Sequence, residues 1–338
     1  MSQPIIFVWV GSKLPSYANT SLRFCYDANP SREIILLTNA SNYGIVIGLA
    51  TIVQVSEVEI YKLTSLLPKM QFKGDFWINT SLRFLILERF LRDSKIKSFY
   101  HAELDNVIFN LDGIGHELNS VGKGIFVPRD MEDRAIASLL YCNRQESIKE
   151  LAEIYLSSKP PPLNDMDALG KYAQMHSSYF FSLPTESFQE NSKIWKIVSP
   201  QKLGGIFDAA AIGQYLLGVD PIHCRFKPCR NGFVNENCKI DLGSVDFIVQ
   251  DAKIFIRFRS SKMEFQIYNI HLHSKNFTLF NELMENRKIL TRLSRGEKSI
   301  ISNHSMILIG PIISKAHKMI ESIRQVLNKT RKRIFPRD

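Results

Sequence analysis

Residues able to do chemistry concentrate in three short stretches of this chain. The first is Phe99-Tyr100-His101-Ala102-Glu103-Leu104-Asp105-Asn106-Val107-Ile108-Phe109, where two acidic side chains sit two apart in an otherwise apolar run. The run is short, β-branched and aromatic, which predicts the end of a buried strand. A period of two puts Glu103 and Asp105 on one face of it. Carboxylates so placed must be paired, hydrogen-bonded or bound to a metal, because burying bare charge is costly. They read as a divalent-cation and phosphate site at a strand end. The plainer alternative is a strand running into a turn at Asp105-Asn106.

The second stretch runs from Gly204 to Gly218, through Phe207-Asp208-Ala209-Ala210-Ala211. Two glycines make a flexible loop, and Asp208 opens an alanine-rich helix as an N-cap would. Asp208 is then either that cap alone or a general base presented at a helix start. The third is His271-Leu272-His273-Ser274-Lys275, at the end of an alternating region over residues 245–275 that predicts a β-hairpin. On a strand His271 and His273 face the same way, and with Lys275 they suit a metal or a phosphate. A structural histidine pair is the alternative.

The elements that must position these residues alternate strand and helix. Ile5 to Val10 is a continuous apolar run, as expected of a strand covered on both faces. A helix over Tyr17–Asn29 follows, then strands over Glu33–Thr38 and Ala50–Val55. This rhythm argues for a parallel α/β sheet, in which ligands bind beyond the carboxyl ends of the strands. Val10, closing the first strand, and Gly11, opening its loop, are therefore candidate nucleotide-binding residues, although no phosphate-cradling glycine pattern accompanies them. A helix with Leu82, Leu85, Ile86 and Phe90 as its apolar stripe precedes the acidic run. It carries Arg83, which either points toward the strand end or lies on the surface. Further on, Arg144–Ser157 reads as a helix, Pro160-Pro161-Pro162 as a rigid separator, and Asn164-Asp165-Met166-Asp167 as the start of another helix.

The 338 residues are 45% hydrophobic and 22% charged, a globular composition without an apolar run long enough to span a membrane. Met1 to Val10 reads as a first strand and not as a signal peptide. Five cysteines suggest a reducing compartment, so the expected location is cytoplasmic. The spacings of Cys224, Cys229 and Cys238 match no common zinc pattern. The formal net charge is +10 and the pI about 9.3. Much of the excess lies between Lys315 and Asp338, where Met319, Ile320, Ile323, Val326 and Leu327 fall at helical spacing before a Lys-Thr-Arg-Lys-Arg cluster. That basic helix reads either as a peripheral contact with an anionic membrane or as a solvated helix packed on the domain. No zinc, RRM or helix-turn-helix signature accompanies the charge, so nucleic acid is not expected as a partner.

In layout up to about residue 280, the chain resembles GT-A-type nucleotide-sugar glycosyltransferases. His101-Ala102-Glu103-Leu104-Asp105-Asn106 looks like their Asp-X-Asp motif, with Glu103 keeping the charge of its first position. Phe207-Asp208-Ala209-Ala210-Ala211-Ile212-Gly213 looks like the acceptor-side segment where inverting members place a base, without the usual Glu-Asp pair. His271-Leu272-His273-Ser274-Lys275 looks like the late histidine element that closes over diphosphate and metal. The resemblance implies a three-layer α/β/α sandwich on a mostly parallel sheet. Residues 1–280 would form the catalytic domain, with 1–130 the donor half, 160–280 the acceptor half and 281–338 a helical basic appendage. It implies a UDP- or GDP-sugar donor, a glycan or glycolipid acceptor and Mn²⁺ or Mg²⁺ to neutralise the diphosphate leaving group. Asp105 would bind the metal, with His273 the preferred late ligand and His271 the second. Glu103 would meet ribose or metal-bound water and Lys275 a phosphate oxygen, with Arg83 a further donor-binding residue. Asp208 would deprotonate the acceptor, favouring inversion over retention. The competing expectation is a GT-A-like protein that binds nucleotide sugar or glycan without turnover.

Overall fold

A computed structural model of the chain describes residues 2–67, 76–159, 162, 164–220 and 232–285. The basic helix expected after Lys315 lies outside the described residues, as do Cys224 and Cys229.

The first half of the chain builds the main sheet. Its elements are β1 (Ile5–Trp9), α1 (Ala18–Ala28), β2 (Ile34–Thr38), β3 (Thr51–Gln54), α2 (Glu57–Leu66), α3 (Phe76–Asp93), β4 (Phe99–Ala102), β5 (Asn106–Ile108), α4 (Ile114–Val121), β6 (Ile125–Met131), β7 (Arg134–Ala135), β8 (Leu139–Cys142) and α5 (Gln145–Ser157). The second half adds α6 (Asp165–Met175), β9 (Phe180–Leu183), α7 (Phe188–Asn191), α8 (Pro200–Leu203), β10 (Gly205–Ile206), α9 (Ala211–Leu217), β11 (Val245–Gln250), β12 (Lys253–Phe258), β13 (Glu264–Ile267), β14 (Asn269–His271) and α10 (Phe277–Glu285).

The sheet runs β3-β2-β1-β4-β8-β6, with β7 and β9 both paired to β6. The stretch β3-β2-β1-β4 is wholly parallel, and β8 enters antiparallel between β4 and β6. The inner strands β1, β2, β4 and β8 bury both of their faces, whereas the edge strand β3 is partly exposed. In β1, Ile6 and Val8 meet one core with residues of α3, α5 and α6, and Ile5 and Phe7 meet another with residues of α1 and α4. The result is the three-layer α/β/α sandwich that continuous apolar strands demand. Each fully buried Ile, Leu or Phe of these cores contributes on the order of 1.5–3 kcal/mol. A smaller sheet, β10-β13-β12-β11, packs with α9 and α10 around a third core.

Where the sequence predicts one strand from Lys97 to Glu103 and beyond, the structure has two. β4 ends at Ala102, the chain turns at Leu104-Asp105, and β5 starts at Asn106 in a different sheet. β5 pairs antiparallel with β14, matching Asn106 with His271 and Ile108 with Asn269. This two-stranded ribbon stitches the main sheet to the second half of the chain.

Candidate metal centre

The break after β4 decides the geometry of the acidic pair. Glu103 and Asp105 do not share a strand face. They flank the turn between β4 and β5, at the carboxyl end of a parallel strand, and both point at the end of β14. There His271 Nε2 lies 3.3 Å from Glu103 Oε2 and 3.5 Å from Asp105 Oδ1. One ligand atom from each of the three lies within 4.8 Å of the others. Two carboxylates and an imidazole form a donor set suited to a hard or borderline divalent cation. Main-chain bonds hold the turn. Asn106 N–H donates to Glu103 O at 3.2 Å, and Leu272 N–H donates to Asp105 O at 2.7 Å, tying the two ligand-bearing segments together.

Basic groups crowd the same carboxylates. Lys275 Nζ lies 3.1 Å from Asp105 Oδ2 and 3.5 Å from Asp220 Oδ2. It gets there because the chain turns after β14, with Leu272 O accepting from Lys275 N–H and Lys275 itself left-handed at φ 57°. Arg83, on α3, is buried and bridges two carboxylates, 2.5 Å from Glu103 Oε1 and 2.6 Å from Asp165 Oδ2. Burial opposes the Arg83 charge, but Glu103 and Asp165 more than offset it and hold the guanidinium above its ordinary range. For Asp105 burial works against ionisation, yet His271 and Lys275 pull its carboxyl far below the usual carboxylate range. The His271 imidazole, opposed by burial, is raised by Asp105 and Glu103 to about 9.

Several expectations change on contact with the structure. Of the two histidines, His271 and not the preferred His273 turns onto the carboxylates, because β14 ends at His271. His273 Nδ1 instead accepts the Asp220 N–H at 3.0 Å, with its ring centroid 6.0 Å from that of His271. Asp208 does not open the helix as its N-cap. It is fully buried, α9 starts only at Ala211, and both carboxylate oxygens are occupied by main-chain donors. Oδ1 accepts from Ile212 N–H at 2.9 Å, and Oδ2 from Gly213 at 2.9 Å and His271 at 3.0 Å. Burial pushes its carboxyl up, partly countered by those three donors. β1 closes at Trp9, so Val10 as well as Gly11 lies beyond its carboxyl end, with Gly11 N–H donating to Asn39 Oδ1 at 2.8 Å.

Three residues of this neighbourhood carry no signal in the sequence. Asp165 reads there only as part of a helix start, and it does sit in the first turn of α6, capped by Asn164. Asp220 follows α9 without any motif. Tyr17 ends the loop after β1, where it stacks on Phe277 with ring centroids 5.5 Å apart. Burial and then Asp105, Glu103 and Asp220 raise its hydroxyl well above the ordinary tyrosine range.

Comparison with solved structures returns remote likenesses. Mouse xyloside xylosyltransferase 1, apo form, is 9% identical over 54% of this chain and 85% of its own, with a TM-score of 0.38. The PaToxG glycosyltransferase is 10% identical over 52% of this chain and 68% of its own, at 0.37. The galactosyltransferase LgtC, in complex with donor and acceptor sugar analogues, is 13% identical over 50% and 70%, at 0.35. No family model and no curated protein matches the chain. With superpositions this loose, the functional reading rests on the side chains themselves.

Proposed function

We propose that this chain is a metal-dependent glycosyltransferase, moving a sugar from a nucleoside-diphosphate sugar to a hydroxyl group of a glycan or glycolipid. The observation that carries this reading is the convergence of Glu103, Asp105 and His271 beyond the carboxyl end of β4, where open α/β sheets bind ligands. Asp105 and His271 would hold Mn²⁺ or Mg²⁺, with Glu103 as third ligand or as partner to a metal-bound water. The cation, when bound, neutralises the diphosphate leaving group. Lys275, already drawn to Asp105, is placed to add a point charge on a phosphate oxygen once the cation takes over that carboxylate. Arg83, paired with Glu103 and Asp165, would act on the donor site through the orientation of Glu103. Asp208 is assigned no proton transfer.

The test is a panel of UDP- and GDP-sugars incubated with the protein, with and without Mn²⁺, reading released nucleotide and transfer to sugar acceptors. Mn²⁺-dependent release is expected, and Asp105→Ala should abolish cation-dependent nucleotide binding. Nucleotide binding without any turnover would favour the non-catalytic reading. No binding and no hydrolysis at millimolar ligand would overturn both.

A further inference from the structure

Behind the metal centre lies a polar network without access to solvent. Asp208, Asn106, Asn269 and Ser138 are each fully buried. Asn269 Oδ1 accepts the Asp208 N–H at 3.1 Å, and Asn269 Nδ2 donates to Asn106 Oδ1 at 3.1 Å. Asn106 Nδ2 donates to Ser138 O at 2.5 Å, and that same carbonyl accepts the Glu103 N–H at 3.0 Å. The chain of bonds runs from the main chain of Glu103, through Asn106 and Asn269, to Asp208. It returns through Asp208 Oδ2 to the main chain of His271. α9 closes on the far side so tightly that a Cβ on Gly213 would meet His271 O at 2.0 Å. Four buried polar side chains are expensive unless every one is satisfied, and satisfied networks rigidify what they touch. Here they touch both segments that carry the ligand atoms.

We infer that Asp208 is a positioning residue of the metal centre, fixing His271 through its main-chain N–H and, through Asn269 and Asn106, holding it in register with Glu103 and Asp105. This deepens the metal-dependent reading and rests on it. Partners that orient ligands from behind typically set metal affinity by about 10–100-fold. A carboxylate is required at this position because main-chain N–H groups donate to both Oδ1 and Oδ2, so an amide in either orientation would set its NH₂ against a donor.

The experiment is Mn²⁺ binding to the full chain without nucleotide, followed by the loss of free-ion EPR signal, alongside thermal unfolding in chelator. Asp208→Asn and Asn269→Ser are compared with Leu118→Ala, a core substitution in α4 that destabilises without touching the network. The expected result is a loss of Mn²⁺ affinity of at least about tenfold in the folded network variants, with wild-type affinity in Leu118→Ala. Gly213→Ala, which removes no carboxylate but drives a Cβ against His271 O and Asp208 Oδ2, should lower the affinity like the other network variants. Wild-type affinity in any folded network variant overturns the inference, since a purely structural role moves only the unfolding temperature. Should Asp208→Asn not fold, Asn269→Ser and Gly213→Ala decide by the same criterion. Failure of the wild-type chain itself to bind Mn²⁺ sinks the metal-dependent reading, a result distinct from an unaffected variant.

Discussion

Replacing Arg83 with methionine tests the electrostatics of the site without requiring any ligand. Arg83 is 7% exposed and its two terminal nitrogens are committed to Glu103 and Asp165. Methionine keeps much of the volume and removes the charge. Glu103 loses one partner but still faces His271, with a fifth of its side chain exposed. Asp165 is left buried with only main-chain donors at the start of α6. Stranding one member of a buried pair costs about 3–5 kcal/mol. At roughly 2–4 °C per kcal/mol for a large domain, that is a fall of about 6–20 °C in Tm. The pH dependence follows from Asp165, whose carboxyl burial raises and Arg83 lowers. Removing Arg83 takes away the lowering influence, so the folded-state pKa climbs further above its unfolded value. A group with a raised folded pKa favours the fold at low pH, and that contribution is lost as pH rises through the folded pKa. The deficit of Arg83→Met against wild type should therefore be largest near pH 7 and shrink toward pH 5. Adding Asp165→Asn should restore most of it. Urea unfolding of the three proteins at both pH values is the assay. A loss below about 1 kcal/mol, well short of the roughly 3–5 kcal/mol expected for a stranded buried ion, or a deficit that ignores pH, would refute the buried-bridge reasoning.

The two histidines should separate in Mn²⁺ titrations: His271→Ala is expected to weaken binding at least about tenfold, and His273→Ala to leave it within a factor of about three, because that ring serves the Asp220 main chain. Equal losses would mean that both rings reach the cation. His101 gives a second pH signature. Burial, and then the Arg83 charge, lower its imidazole to about 3, and its Nδ1 meets Ile6 O at 2.9 Å. A lowered folded pKa means the unfolded chain takes up the proton first, so stability falls as pH drops below about 6.5, by about 2 kcal/mol at pH 5. Chevron or urea data on His101→Gln should show a flatter profile between pH 7 and 5; a profile as steep as wild type would assign the acid sensitivity elsewhere.

Much of the main sheet is legible in the sequence, because runs such as Ile5–Trp9 and Ile34–Leu37 are apolar at every position and so declare strands buried on two sides. The acidic pair and the late histidines also stand out as types out of place among hydrophobics. Which histidine turns inward is not legible. A period of two assumes an unbroken strand, and the chain breaks β13 from β14 at Tyr268 and turns again after His271. Nor does local pattern show whether an aspartate before an alanine-rich helix faces solvent or a neighbouring strand. For Asp208 that depends on Asn269, 61 residues away. Asp165 and Asp220 gain their meaning from Arg83 and Lys275 in the same long-range manner.

The ribbon between β5 and β14 also bears on how the chain matures. Its Asn106–Asn269 bond spans 163 residues. Contacts of such separation close a long loop, and they form late compared with helices and neighbouring strands. As synthesis proceeds from the N-terminus, β1 to β4 can assemble with their helices while β14 has yet to leave the ribosome. Glu103 and Asp105 then wait beside Arg83 without the His271 imidazole or the Lys275 ammonium. The cluster of Glu103, Asp105 and His271 is thus a product of the final docking of the chain's second half. A nascent or prematurely ended polypeptide would own the acidic turn and still lack its basic partners from the second half.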